Sequence, residues 1–79
     1  MRRQPVTSES LKSVGFQPAG GVLEVEFNNG HVYRYLRVPR RVYQGLLRAP
    51  SLGVYFNECI KSDYTYTPVP APAYAGQEG

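Results

Sequence analysis

The most regular stretch of the chain alternates apolar and polar residues along Val22-Leu23-Glu24-Val25-Glu26-Phe27-Asn28-Asn29-Gly30-His31-Val32-Tyr33-Arg34-Tyr35. A period of two is the mark of a strand with one buried face. Asn29-Gly30 between the two runs marks a hairpin, because Gly, and less readily Asn, accepts positive φ. Two loop lengths compete. A two-residue loop sets Val25 against Arg34 and Glu24 against Tyr35, mixing charged and apolar groups on both faces. A three-residue loop, Asn28-Asn29-Gly30 with Gly30 at the left-handed bulge position, pairs Phe27 with His31, Val25 with Tyr33 and Leu23 with Tyr35. It also sets Glu24 against Arg34, an opposite-charge cross-strand pair worth ~0.2–1 kcal/mol. A one-residue slip exchanges the faces, so the three-residue loop is the expected one. Leu23, Val25, Phe27, Tyr33 and Tyr35 then share one face, and Glu24, Glu26 and Arg34 the other.

Upstream, Ser13-Val14-Gly15-Phe16-Gln17 alternates as a short strand with Val14 and Phe16 inward, and Pro18-Ala19-Gly20-Gly21 is turn chemistry. Residues 1–5 read as a flexible arm. After Tyr35 the period changes. Pro39 suits the first helical position, where its missing N–H costs nothing. Val42, Leu46 and Ala49 then form one stripe, with Tyr43 and Leu47 beside it. Pro50 ends this helix, and Ser51 caps a second in which Tyr55 and Cys59, and Phe56 and Ile60, are i,i+4 pairs. Tyr64-Thr65-Tyr66-Thr67 alternates again as a fourth strand at an edge. From Pro68 the composition collapses to Pro, Ala and Gly, which predicts a disordered tail over 68–79. The expected fold is α+β: a three-stranded antiparallel meander plus a C-terminal fourth strand, packed on two short helices, in one domain over 6–67.

Composition narrows the function more than it names it. At 79 residues the chain has room for one small core, and a domain of this size buries only about 60% of its unfolded surface. Seven Tyr and three Phe must supply much of that core. A single Cys excludes an internal disulfide and a Cys-based zinc site, and fits a reducing compartment. No apolar run approaches the roughly 20 residues that span a bilayer, and Met-Arg-Arg-Gln-Pro leads into no apolar signal core. A cytoplasmic protein is expected, with no membrane partner. A net charge of +3 permits a polyanionic partner without requiring one.

The order Val14-Gly15-Phe16, Leu23-Glu24-Val25-Glu26-Phe27, Asn29-Gly30, Tyr33-Arg34-Tyr35, Val38-Pro39, Leu46-Leu47-Arg48-Ala49 and Ser51-Leu52-Gly53-Val54-Tyr55-Phe56-Asn57-Glu58-Cys59-Ile60 resembles the KTSC domain. That family is named for the C-terminus of some lysyl-tRNA synthetases and also occurs as small bacterial and phage proteins. The resemblance covers about residues 6–66. Phe16 stands where the family often has Tyr. The synthetase association implies RNA as a partner.

Candidate residues follow from charge and aromaticity. Arg37, Arg40 and Arg41 cluster where the third strand enters the first helix, with Arg34 and Arg48 as extensions; such a group makes sequence-blind, salt-sensitive phosphate contacts. A solvated helix face is the competing reading, and cations at a helix start meet the positive end of its dipole. Tyr33 and Tyr35 have the chemistry to stack on bases, although the hairpin register puts them on the core face. Ser51, Tyr55 and Asn57 complete a candidate recognition strip, against roles in capping and packing. Ser8 and Ser10 lack a base within reach, because the one His, His31, is expected at the hairpin tip. Cys59 reads as a buried, inert thiol. No catalytic residue, metal site or cofactor is expected. Two functions stay open: a non-enzymatic module binding RNA or other single-stranded nucleic acid through the arginines, or a protein-interaction module using the hairpin and 51–57.

Overall fold

A computed structural model of the chain describes residues 3–6, 8 and 10–70. Its elements in chain order are β1 (Gln4–Pro5), β2 (Leu11–Gln17), β3 (Val22–Phe27), β4 (Val32–Tyr35), α1 (Arg40–Arg48), α2 (Leu52–Cys59) and β5 (Tyr66–Val69). The strands form one antiparallel sheet in the order β1-β2-β3-β4-β5. Both helices lie on its inner face.

The central hairpin has the expected register, with Leu23 opposite Tyr35, Glu24 opposite Arg34 and Val25 opposite Tyr33. The Gly30 N–H donates to the Phe27 carbonyl and the Phe27 N–H to the His31 carbonyl, both at 2.9 Å. Gly30 adopts φ 91°, the left-handed conformation the three-residue loop demands. Asn29 Oδ1 accepts from the His31 N–H at 3.0 Å and stiffens the tip.

β2 is longer than its alternation suggested. A bulge between Leu11 and Ser13 shifts the register, so Leu11 and Val14 both reach the core despite a spacing of three. The broken period hid this first turn of the strand. Leu11, Val14, Leu23, Val25, Tyr35, Val38, Leu46, Phe56 and Ile60 form the buried core. Phe16 stacks on Tyr43 of α1 with centroids 5.0 Å apart. Phe56 of α2 meets Phe27 and Tyr35 edge-on at 5.4 and 5.3 Å.

The helices start and stop near their predicted boundaries. Pro39 occupies the cap position of α1, one residue before its expected place, and Ala49 at the other end is already extended. Leu47, expected on the apolar side, is 37% exposed; α1 touches the core chiefly through Leu46, with Val42 and Tyr43 half-buried. Ser51 Oγ accepts from the Val54 N–H at 3.3 Å, the expected cap of α2. The two helices meet where Tyr55 lies over Gly45, and a Cβ at Gly45 would collide with the phenol ring.

Both termini of the domain extend past their predicted limits. Gln4 and Pro5, expected in a loose arm, pair with Val14 and Ser13. The fourth strand begins two residues later than predicted and includes Pro68 and Val69, expected in the tail. Residues 71–79, the rest of that tail, lie outside the described residues. Hydrogen bonding explains why proline is tolerated. The Leu36 N–H donates to the Thr65 carbonyl at 2.8 Å, so the next pair, Tyr35 with Tyr66, is a non-hydrogen-bonded one, and Tyr33 with Pro68 is another. The Val6 N–H donates to the Lys12 carbonyl at 3.1 Å, which puts Pro5 in the same situation on β1. Each proline nitrogen therefore faces an open sheet edge, where its missing donor weakens pairing with another strand.

Candidate nucleic-acid interface

The sheet's inner face is not covered along its whole length. Phe27 at the end of β3 and Tyr33 on β4 are only partly buried, and Tyr66 on β5 is exposed. Tyr33 and Tyr35 on β4 and Tyr66 on β5 alternate onto that face, because Tyr35 pairs with Tyr66 and Tyr33 with Pro68. With Phe27 and Phe56 they line an open groove of about 400 Å³, rimmed by Asn29, Asn57, Lys61 and Ser62. The aromatic rings hold one another in place. Tyr33 meets Tyr66 edge-on at 5.3 Å and Phe27 at 5.6 Å, while Tyr35 lies 5.4 Å from Tyr66. His31 extends the row, stacked on Tyr33 at 6.4 Å.

Exposure grades across this surface. Tyr35 is 4% exposed and forms the floor, Tyr33 is half-buried, and Tyr66 is 53% exposed. Burial raises the Tyr35 pKa above its ordinary 10.0, and the neighbouring Tyr66 and Tyr33 add to the shift. Its hydroxyl therefore stays protonated at neutral pH. Tyr33 and Tyr66 thus present ring surface to solvent on a rigid base, beside the ammonium of Lys61. A planar ring can stack there, and a nearby anion finds a cation.

The predicted residues distribute unevenly around this groove. Tyr33 belongs to it, Tyr35 underlies it, and Asn57 stands on its rim. Asn57 also borders a second open depression of about 550 Å³, lined by Ser8, Ser10, Ser51 and Gly53. Ser51 is occupied as the α2 cap and Tyr55 by its packing on Gly45. The arginines do not gather into one patch. Arg34 is on the outer sheet face, where its Nε donates to Glu24 at 2.8 Å. Arg48 ends α1, eight residues and about 12 Å from Arg40. Arg37 in the β4–α1 connection and Arg40 and Arg41 at the start of α1 are all exposed.

Tyr66 and Lys61 are groove residues that the sequence reading did not single out. The signal for Tyr66 was present in its alternation with Tyr64, but pairing it with Tyr35 requires the register across a crossover of two helices. Lys61 lies just past α2, where its backbone N–H donates to the Phe56 carbonyl at 2.9 Å.

The outer face is built differently. Glu24 is 7% exposed although no helix covers it. Arg3, level with Gly15 in the register of β1 and β2, reaches its carboxylate at 3.1 Å, opposite the contact from Arg34. Ser13 Oγ donates to Glu26 Oε1 at 2.8 Å alongside. Among the described residues no three His, Cys, Asp or Glu side chains group as metal ligands, and no helix is long and apolar enough to cross a membrane.

A family model described as the KTSC domain matches residues 7–64. The chain belongs to the KTSC domain family. This KTSC domain is 47% identical over 64 residues to an uncharacterised protein of Stutzerimonas stutzeri, covering 81% of the chain and 90% of that relative. It is 38% identical over 56 residues to a lysine–tRNA ligase of Nostoc sp., covering 71% of the chain and 10% of the ligase. The crystal structure of a KTSC domain protein from Yersinia pestis superposes with a TM-score of 0.83 at 36% identity, covering 87% of this chain and 97% of that one. The α+β architecture, a five-stranded antiparallel sheet with two helices, is that of the family.

Proposed function

We propose that this KTSC domain is a non-enzymatic module of the cytoplasm that binds single-stranded RNA, stacking an unpaired base on Tyr66. The observation that carries the reading is the open aromatic groove, with two solvent-facing tyrosine rings held rigid beside Lys61. Aromatic platforms of this kind take bases without regard to sequence, because every base has a π-face. The net charge of +3 suits a polyanion, and lysine–tRNA ligases among the relatives act on an RNA. The backbone contacts fall to Lys61 and to the exposed arginines, not to Arg34, whose charge is already paired with Glu24. A protein-interaction module using the hairpin and residues 51–57 is the weaker reading, since Ser51 is engaged as the α2 cap and Tyr55 by its packing on Gly45.

Fluorescence anisotropy with a labelled oligouridylate tests this. Tyr66→Ala should weaken binding roughly 5- to 150-fold, the range of one lost base stack of ~1–3 kcal/mol, and leave the fold intact. Wild-type protein that ignores the single strand at low salt, or a Tyr66→Ala variant that binds it as tightly, contradicts the reading.

A further inference from the structure

We infer that Arg37 contacts the sugar-phosphate backbone of a strand lying in the aromatic groove, and that the fold accepts backbone strain to place it there. This deepens the RNA-binding reading and rests on it. Arg37 is the one non-glycine residue among the described residues with positive φ, at 60°. The left-handed region is unfavourable for a side chain and easy for glycine.

The conformation is imposed from both sides. The preceding Leu36 N–H donates to the Thr65 carbonyl at 2.8 Å, and the following Val38 N–H donates to the Gly21 carbonyl at 2.8 Å. The Val38 side chain is fully buried in the core. The chain must therefore turn at residue 37, whichever residue stands there. Gly21, at φ 63°, shows the usual solution on the facing loop, and a Cβ there would lie 2.8 Å from the Val38 carbonyl oxygen.

Nothing among the described residues accounts for an arginine at this turn. Its side chain is exposed and forms neither hydrogen bond nor ion pair with the described residues. It borders a shallow depression with Leu36, Asp63, Tyr64 and Thr65, yet it makes no salt bridge with Asp63. Strain held at a surface position that contributes no internal contact points outward, to a ligand. The position suits a strand leaving the groove. Arg37 lies four residues along the chain from Tyr33, a span of about 14 Å in extended backbone. Within one segment, Lys61, Ser62 and Tyr66 line the groove and Asp63, Tyr64 and Thr65 line the depression beside Arg37. Arg40 and Arg41 continue the cationic path onto α1. A guanidinium at the turn meets a phosphate without reading a base.

Arg37→Gly separates this role from a structural one. The variant relieves the strain, so its thermal midpoint should equal or exceed that of the wild type. Its affinity for a labelled oligouridylate should fall roughly two- to fivefold at low salt, the range of one exposed charge pair, and the slope of log affinity against log salt should shrink by about 0.7. An abasic strand of equal length distinguishes this contact from the stacking site. Arg37→Gly should weaken the abasic strand to the same degree, whereas Tyr66→Ala should leave it unchanged. Arg37→Lys should keep the salt slope. A full slope and affinity in Arg37→Gly, or a lowered thermal midpoint, overturns the role of Arg37 while leaving the groove standing. Absence of wild-type binding to both strands removes the groove reading and this inference with it.

Discussion

The two faces of the sheet solve the same problem by different means. On the inner face, apolar side chains from β2, β3 and β4 are covered by Leu46, Phe56 and Ile60, and burial needs no directional contacts. On the outer face no helix is available, and Glu24 is buried by two guanidiniums instead. The alternating residues of β4 belong to both arrangements: Tyr33 and Tyr35 face inward, and Arg34 faces outward. The difference shows which surface is free to act. The outer face uses its charges on itself, while the inner face has aromatic surface left over where the helices end.

Substitutions should separate the two faces by size of effect. Phe56→Ala opens a cavity beneath Phe27 and Tyr35 and should cost ~3–5 kcal/mol in urea melts. In a domain this small, that is enough to leave much of the protein unfolded. An unchanged melt would remove Phe56 from the core. Glu24→Gln on the outer face should cost less, about 1–2 kcal/mol, because Arg3 and Arg34 are partly exposed and water screens them. That loss should shrink in high salt, whereas the Phe56 loss should not. A salt-independent loss would show that Glu24 acts through packing and not through charge.

The smallest effect is a pH dependence. The Tyr35 pKa is raised in the folded protein, so its phenol ionises more readily in the unfolded chain. The associated stability is complete below about pH 10, the unfolded value. It is lost as pH rises through the higher folded value. Tyr35→Phe should flatten this decline in alkaline urea melts, and an unaltered decline would assign it to other groups, Tyr43 among them, whose pKa burial also raises.

The inner face was largely legible in the sequence because its information is local. Asn29-Gly30 selects the loop, the loop sets the register, and the Glu24–Arg34 pair agrees with it. Ser51 and Pro50 mark helix boundaries with residues whose chemistry is specific to such positions. What stayed hidden depends on contacts distant in the chain. Gln4 and Pro5 have no strand pattern, and Arg3 beside them is held by Glu24, twenty-one positions away. Pro68 looks like a strand breaker until its nitrogen is known to face an open edge. Tyr66 becomes a groove residue only when β5 returns beside β4. Closeness in sequence makes Arg34 and Arg48 look like extensions of the Arg37, Arg40 and Arg41 cluster, but Arg34 faces outward and is engaged by Glu24. Arg48 is carried to the far end of α1.

The central claim is that the uncovered inner face, and not the charged outer face, receives a single strand of RNA. The direct measurement is a titration of isotope-labelled protein with oligouridylate, following backbone amide shifts residue by residue. The account predicts the largest changes at Tyr33, Asn57, Lys61 and Tyr66, smaller ones at Arg37, and none at Ser13, Glu24 or Arg34. Changes centred on Glu24 and Arg34, or a spectrum that oligouridylate leaves unmoved at low salt, would contradict it.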